Sequence, residues 1–132
     1  MRDLPTAPIA TGDMLPAVAQ GAIGIERRDD DARAAAMLQA VHDIETGERL
    51  AAERAYLARL DGSCETPIAG LAVLGSGTLT LTGEILRPDG SEVIADAISG
   101  PVEDGVAIGQ ELAERLLARA PKGFFDWRET GA

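Results

Sequence analysis

The period of the apolar positions changes several times along the chain, and each change predicts a change of element. Residues 1–16 have no period: Pro5, Pro8, Pro16 and Gly12 interrupt every run, which predicts an irregular or extended connector. Over 17–28, Ile23 and Ile25 alternate with Gly24 and Glu26, the period of two that marks a strand over about 17–27. The next strand pattern begins only at Ile68, so this one must pair far along the chain or outside it. From Asp29 the pattern turns helical. Asp29, Asp30 and Asp31 can cap a helix and complement its dipole, and RAAAMLQAVH is rich in helix formers, which predicts a helix over about 30–42.

A second helix is expected over about 45–60, capped by Asp43 or Thr46, with Leu50, Leu57 and Leu60 as its buried stripe and Asp61-Gly62 as its stop. Beyond it Leu79, Leu81 and Ile85 alternate with Thr78, Thr80, Thr82 and Glu84, a strand with one apolar face. Gly75-Ser76-Gly77 and Pro88-Asp89-Gly90 are turn signals on either side. Strands over 68–74, 78–86 and 92–99 should therefore form an antiparallel meander. Glu103 and Asp104 open a last helix whose Ile108, Leu112 and Leu116 fall on one face, and Pro121 ends it. The fold class is α+β: helix-strand-strand-strand-helix over 43–120, a three-stranded antiparallel sheet covered by helices, preceded by the extended strand and the first helix.

Composition narrows the function classes. With 132 residues, 45% hydrophobic and 26% charged, the chain can bury one modest core. Twelve basic side chains face 22 acidic ones, a net charge of -10, the wrong sign for a protein that binds nucleic acid or anionic membranes. One cysteine, Cys64, and one histidine, His42, make neither an internal disulfide nor a structural zinc site. The N-terminus lacks the blocks of a signal peptide, so a soluble cytoplasmic protein is expected.

Cys64 is the candidate for chemistry. It falls in RLDGSCETPIAG between the second helix and the first strand of the meander, where a thiol on a loop can be reached. An ordinary thiol, with a pKa of about 8.5, is roughly a few per cent thiolate at neutral pH, enough to capture a strong electrophile slowly. Glu65 beside it disfavours the thiolate, and a small buried cysteine is the bland alternative.

The residues Glu53, Arg54, Leu57, Leu60, Gly62, Cys64, Pro67, Ile68 and Ala72, in the pattern ERxxLxxLxGxCxxPIxxxA, resemble the C-terminal signature of the porphobilinogen deaminase (hydroxymethylbilane synthase) family. Leu15, Pro16, Gln20, Gly21, Ala22, Gly24 and Glu26 resemble the family's segment that leaves the second domain and returns as a strand of the first. The resemblance implies that 1–42 is a remnant of the N-terminal domains and 43–132 the cofactor-carrying domain. It further implies that Cys64 carries a dipyrromethane cofactor through a thioether and that Gln20 lies at the cofactor and substrate cleft. The substrate would be porphobilinogen, added to a growing oligopyrrole chain with loss of ammonia until the linear tetrapyrrole is released.

Ser63 and Ala19 stand where the family usually or often has glycine, which implies altered loop packing. The family's catalytic aspartate and its cationic substrate clamps lie N-terminal to this chain, so the segment alone should be inactive, with no catalytic residue of its own. Residues 29–132 carry nineteen acidic and nine basic side chains, which agrees. The full-length enzyme is expected to be a monomer, and the fragment to self-associate through 17–27.

Other marked residues have plainer readings. Glu53 and Arg54 suggest a structural ion pair, Arg27 and Arg28 an exposed strand end, and His42 a surface histidine. Phe124, Phe125 and Trp127 should pack back on the domain. The alternative classes are a stand-alone binding module with the helix-sheet order of double-stranded RNA-binding domains, which the acidity opposes, and a thiol redox protein, which lacks a resolving cysteine.

Overall fold

Alternation along the three strands puts every second side chain on one face. In the computed structural model, which describes residues 6–60 and 67–126, β1 (Ile68–Gly75), β2 (Thr78–Leu86) and β3 (Val93–Pro101) form one antiparallel sheet in the order β1-β2-β3. The register sets Ile68, Ile85 and Ile94 in one row and Ala72, Leu81 and Ile98 in another. Leu79, Leu81 and Ile85 are fully buried, each contributing about 1.5–3 kcal/mol by leaving water. Ser76 (φ 51°) and Gly77 (φ 77°) turn β1 into β2 with positive φ at both positions, the two-residue turn whose twist matches that of the strands. Between β2 and β3, Asp89 Oδ1 accepts from Ser91 N at 3.0 Å and from Ser91 Oγ at 2.7 Å.

Among the described residues three α-helices accompany the sheet: α1 (Ala32–Gln39), α2 (Ile44–Arg59) and α3 (Gly105–Arg119). Asp31 caps α1 by accepting from Ala34 N, and Asp43 caps α2 by accepting from Thr46 N, both at 2.8 Å. Glu103 and Asp104 belong to a 3-10 turn, Val102–Asp104, and α3 starts only at Gly105. Its Ile108, Leu112 and Leu116 are buried as their spacing implies.

The stripe of α2 differs from the expected one. Ala52, Tyr56 and Leu60 are buried, whereas Leu50 and Leu57 are only half-buried. The cause is the close crossing of α2 and α3. A Cβ on Gly109 would stand 2.3 Å from the Ala52 carbonyl oxygen and 2.9 Å from the Tyr56 amide nitrogen, so α2 meets α3 through small residues. Tyr56 then reaches over the sheet, across the paired Gly70 and Gly83, and its hydroxyl donates to the Glu84 carbonyl at 3.2 Å. Phe124 packs into the core under the Arg87 guanidinium, which lies 5.0 Å from its ring centre, and Phe125 meets it edge-on. Trp127 lies outside the described residues.

The strand expected over 17–27 does not form. Only Ala17 bridges to the sheet, opposite Ala69 on the free edge of β1. Two successive turns, Gln20 N to Ala17 O and Ala22 N to Ala19 O, both at 3.1 Å, then peel the chain away, with Ala19 at φ 62° and Gly21 at φ 79°. Ile23 and Ile25 are left exposed. Their alternation is real, but left-handed residues just before them take the backbone off the sheet edge.

Candidate functional site

The edge of β1 is where the N-terminal connector and the sheet meet. An edge strand presents unpaired amides that need acceptors. Gly70 N donates to the Pro16 carbonyl at 3.0 Å, and Ala72 N donates to Glu53 Oε1 at 2.8 Å. Glu53, only 5% exposed, holds a third piece of chain as well: its Oε2 accepts from Ala19 N at 2.7 Å. One carboxylate on α2 thus takes over the edge of β1 just where the connector turns away.

This corrects the ion pair expected of Glu53 and Arg54. Arg54 is exposed and forms no ion pair among the described residues, while the Glu53 carboxylate is compensated by two backbone amides. Charged acceptors strengthen such bonds, which makes a buried carboxylate tolerable here. The sequence did carry a signal: Glu53 lies between Ala52 and Tyr56, on the inward side of the helix.

Gln20 follows Ala19 on the turn and is exposed. It lines a cleft of about 220 Å³ together with Arg49, Glu53 and Ala72. Arg49 reaches Glu45 Oε2 only at 3.5 Å, and its buried Nε has no hydrogen-bond partner. A larger groove of about 490 Å³ continues from Gly21 and Ala22 towards Ile23, Leu38 and His42. His42 is exposed. Arg27 donates to the carbonyls of Arg28 and Asp29, and Arg28 lies 3.6 Å from Asp30 with both side chains in solvent. The exposed strand end expected at these arginines is an exposed irregular segment.

Cys64 lies outside the described residues. The chain on either side of it is well fixed: Leu60, which ends α2, is 3% exposed, and the Pro67 carbonyl, just before β1, accepts from Leu86 N at 3.0 Å.

The cations are largely committed. Arg59 pairs with Glu114, Arg87 with Glu92, Arg115 with Glu111 and Arg119 with Asp96. Beneath the sheet, burial and the Glu84 carboxylate push the Tyr56 phenol well above its ordinary range. Among the described residues no helix is long and apolar enough to cross a membrane.

These features define an α+β unit of three antiparallel strands backed by helices, with a connector turn clamped to the sheet edge beside a cleft. The sequence model for the porphobilinogen deaminase C-terminal domain matches residues 48–118. Porphobilinogen deaminase of Paracoccus denitrificans (strain Pd 1222) is 64% identical to the chain over 115 residues, 87% of this chain and 37% of that protein. The chain belongs to the porphobilinogen deaminase family, and it spans just over a third of the length of that relative.

Proposed function

We propose that the chain is the C-terminal part of a transferase that condenses four porphobilinogen molecules into linear hydroxymethylbilane with release of ammonia. Cys64 anchors its dipyrromethane cofactor, and Gln20 contributes to the cofactor and substrate cleft. The observation that carries this reading is the family match over 48–118, which spans Glu53, Arg54, Leu57, Leu60, Gly62, Cys64, Pro67, Ile68 and Ala72.

The donors beside the β1 edge suit a group with carboxylate arms, since Gln20 offers an amide and Arg49 a guanidinium whose Nε has no partner. When bound, the group supplies the pyrrole carbon on which the chain is extended. Cys64 contributes a sulfur that bonds once and stays bonded, because a thioether is a poor leaving group. Leu60 and Pro67 fix the ends of the segment that bears it, and Gln20 orients what enters the cleft.

By itself the segment is inactive. Its charge over 29–132 is strongly negative, and most of its described arginines already face carboxylates, which disfavours tight binding of a polyanionic oligopyrrole. A cytoplasmic parent protein is the reading that this role in tetrapyrrole biosynthesis supports. Mass spectrometry of the full-length enzyme tests the assignment: a dipyrromethane adduct is expected on the peptide containing Cys64 and none in Cys64→Ala. A bare thiol in the active wild-type enzyme would refute it.

A further inference from the structure

Among the described residues Glu53 is the one buried carboxylate, and the proposed chemistry does not use it. Glu53 rises from α2 into the junction of three backbones: its own helix, the edge of β1 through Ala72 N at 2.8 Å, and the connector through Ala19 N at 2.7 Å. Of these, the connector is the least supported. Beyond the Ala17 bridge, its path from Ala19 to Ala22 depends on two turns and on a non-glycine residue in the left-handed region, a conformation that costs about 1–2 kcal/mol. A strained residue persists only where its surroundings hold it, and the partner of the strained Ala19 amide is Glu53.

From this arrangement we infer that Glu53 is a positioning residue: its carboxylate fixes the Ala19 turn against β1 and so sets where Gln20 stands in the cleft it shares with Arg49. The Gln20 side chain makes no hydrogen bond among the described residues, so its position follows from the backbone that carries it. The inference rests on the reading of Gln20 as a cleft residue. It is distinct from a general stabilising role, because both bonds of Glu53 go to backbone amides where the connector meets the free edge of β1.

Two measurements test it. The first is amide hydrogen exchange on this chain, wild type against Glu53→Gln. The variant keeps the shape of the side chain but has one acceptor oxygen where Glu53 has two, so it can hold only one of the two amides, and that of Ala72, anchored in β1, outcompetes that of the less supported connector. Exchange at Ala19 should rise about tenfold or more, the value of a bond to a charged acceptor, while Leu79 and Leu81 stay within about threefold of wild type. Unchanged exchange at Ala19 would overturn the inference. So would a uniform rise that includes the sheet, because Glu53 would then support the whole fold rather than the turn.

The second is a double-mutant cycle in the full-length enzyme with Gln20→Ala and Glu53→Gln. If Glu53 acts through Gln20, each variant lowers kcat/KM and the double variant falls no further than the worse single, within about twofold. Losses that multiply would overturn the inference and leave the assignment of Gln20 intact. A Gln20→Ala enzyme with wild-type kcat/KM would instead refute Gln20 as a cleft residue, and the positioning role with it. The cofactor on Cys64 is judged separately by mass.

Discussion

Two glycines one turn apart on α3 give opposite answers to the same substitution. A Cβ on Gly109 would meet the Ala52 oxygen at 2.3 Å, the Tyr56 nitrogen at 2.9 Å and Ala55 Cβ at 3.1 Å. The first two are backbone atoms, so no rotamer change relieves them. Restoring an ordinary carbon to oxygen contact of about 3.3 Å requires α2 and α3 to part by about 1 Å. A gap of that size forfeits about a quarter to a half of each dispersion contact it opens, and overpacking of this kind costs about 3 kcal/mol. Better helix propensity returns about 1 kcal/mol, so Gly109→Ala should destabilise by about 2 kcal/mol. At Gly105 the nearest atoms are Leu79 Cδ1 at 3.4 Å, Ala52 Cβ at 3.5 Å and Glu48 O at 3.8 Å, all ordinary contacts, and the backbone is already helical at φ -50° and ψ -42°. Gly105→Ala should stabilise by about 0.5 kcal/mol. Urea unfolding followed by circular dichroism measures both; with a slope of about 1 kcal/mol/M the two midpoints should differ by about 2.5 M. A Gly109→Ala variant within about 0.5 kcal/mol of wild type would refute the close helix crossing on which the packing of α2 depends.

Tyr56 is the one tyrosine in the sequence, so tyrosinate absorbance near 295 nm reports on it alone. Its phenol is raised in the folded state, so above about pH 10 the unfolded chain loses a proton that the folded one keeps, and stability must fall as pH rises; the absorbance should appear only with unfolding, and the alkaline slope should vanish in Tyr56→Phe. Ser76, at φ 51° in the β1–β2 turn, should gain a few tenths of a kcal/mol in urea as Ser76→Asn, which suits a left-handed position, and lose about 1 kcal/mol or more as Ser76→Val. In the proposed full-length enzyme Cys64→Ala should abolish the adduct and activity while shifting the urea midpoint little, since the substitution removes a single atom.

The sheet was legible because the period of two is plain in β2 and because Ser76-Gly77 and Asp89-Gly90 bound the strands with residues that turns require. Two things were less legible, for one reason: local pattern does not record what a residue meets. Leu50 and Leu57 are as apolar as Leu60, but the Gly109 crossing rotates α2 so that Ala52 and Tyr56 face inward. Ile23 and Ile25 alternate as a strand does, yet Ala19 and Gly21 divert the chain before them. At the candidate site, Gln20 and Cys64 stood out through their motif and not through any charge or period of their own. Glu53 belongs to the same motif, but that it would hold backbone amides rather than Arg54 depends on a free sheet edge 19 residues further on, at Ala72.

Magnitudes decide which contacts hold α2, the helix that leads towards Cys64, in place. The ion pairs on the surface, such as Arg59 with Glu114 and Arg115 with Glu111, are about half exposed and contribute roughly 0–1 kcal/mol each, so they shift without moving the backbone. The inward contacts of α2 have no such freedom. It meets α3 at backbone distance through Gly109, meets the sheet through a tyrosine seated on two paired glycines, and holds the connector through a buried carboxylate with two amides. Any displacement of α2 must break one of these, each at a cost of about 1–3 kcal/mol. The same helix ends at the buried Leu60, four residues before Cys64. The sheet edge, the Gln20 turn and the base of the Cys64 segment therefore share one rigid reference, and in the proposed enzyme substitutions on the inner face of α2 would disturb cofactor and cleft together, whereas those on its outer face would disturb neither.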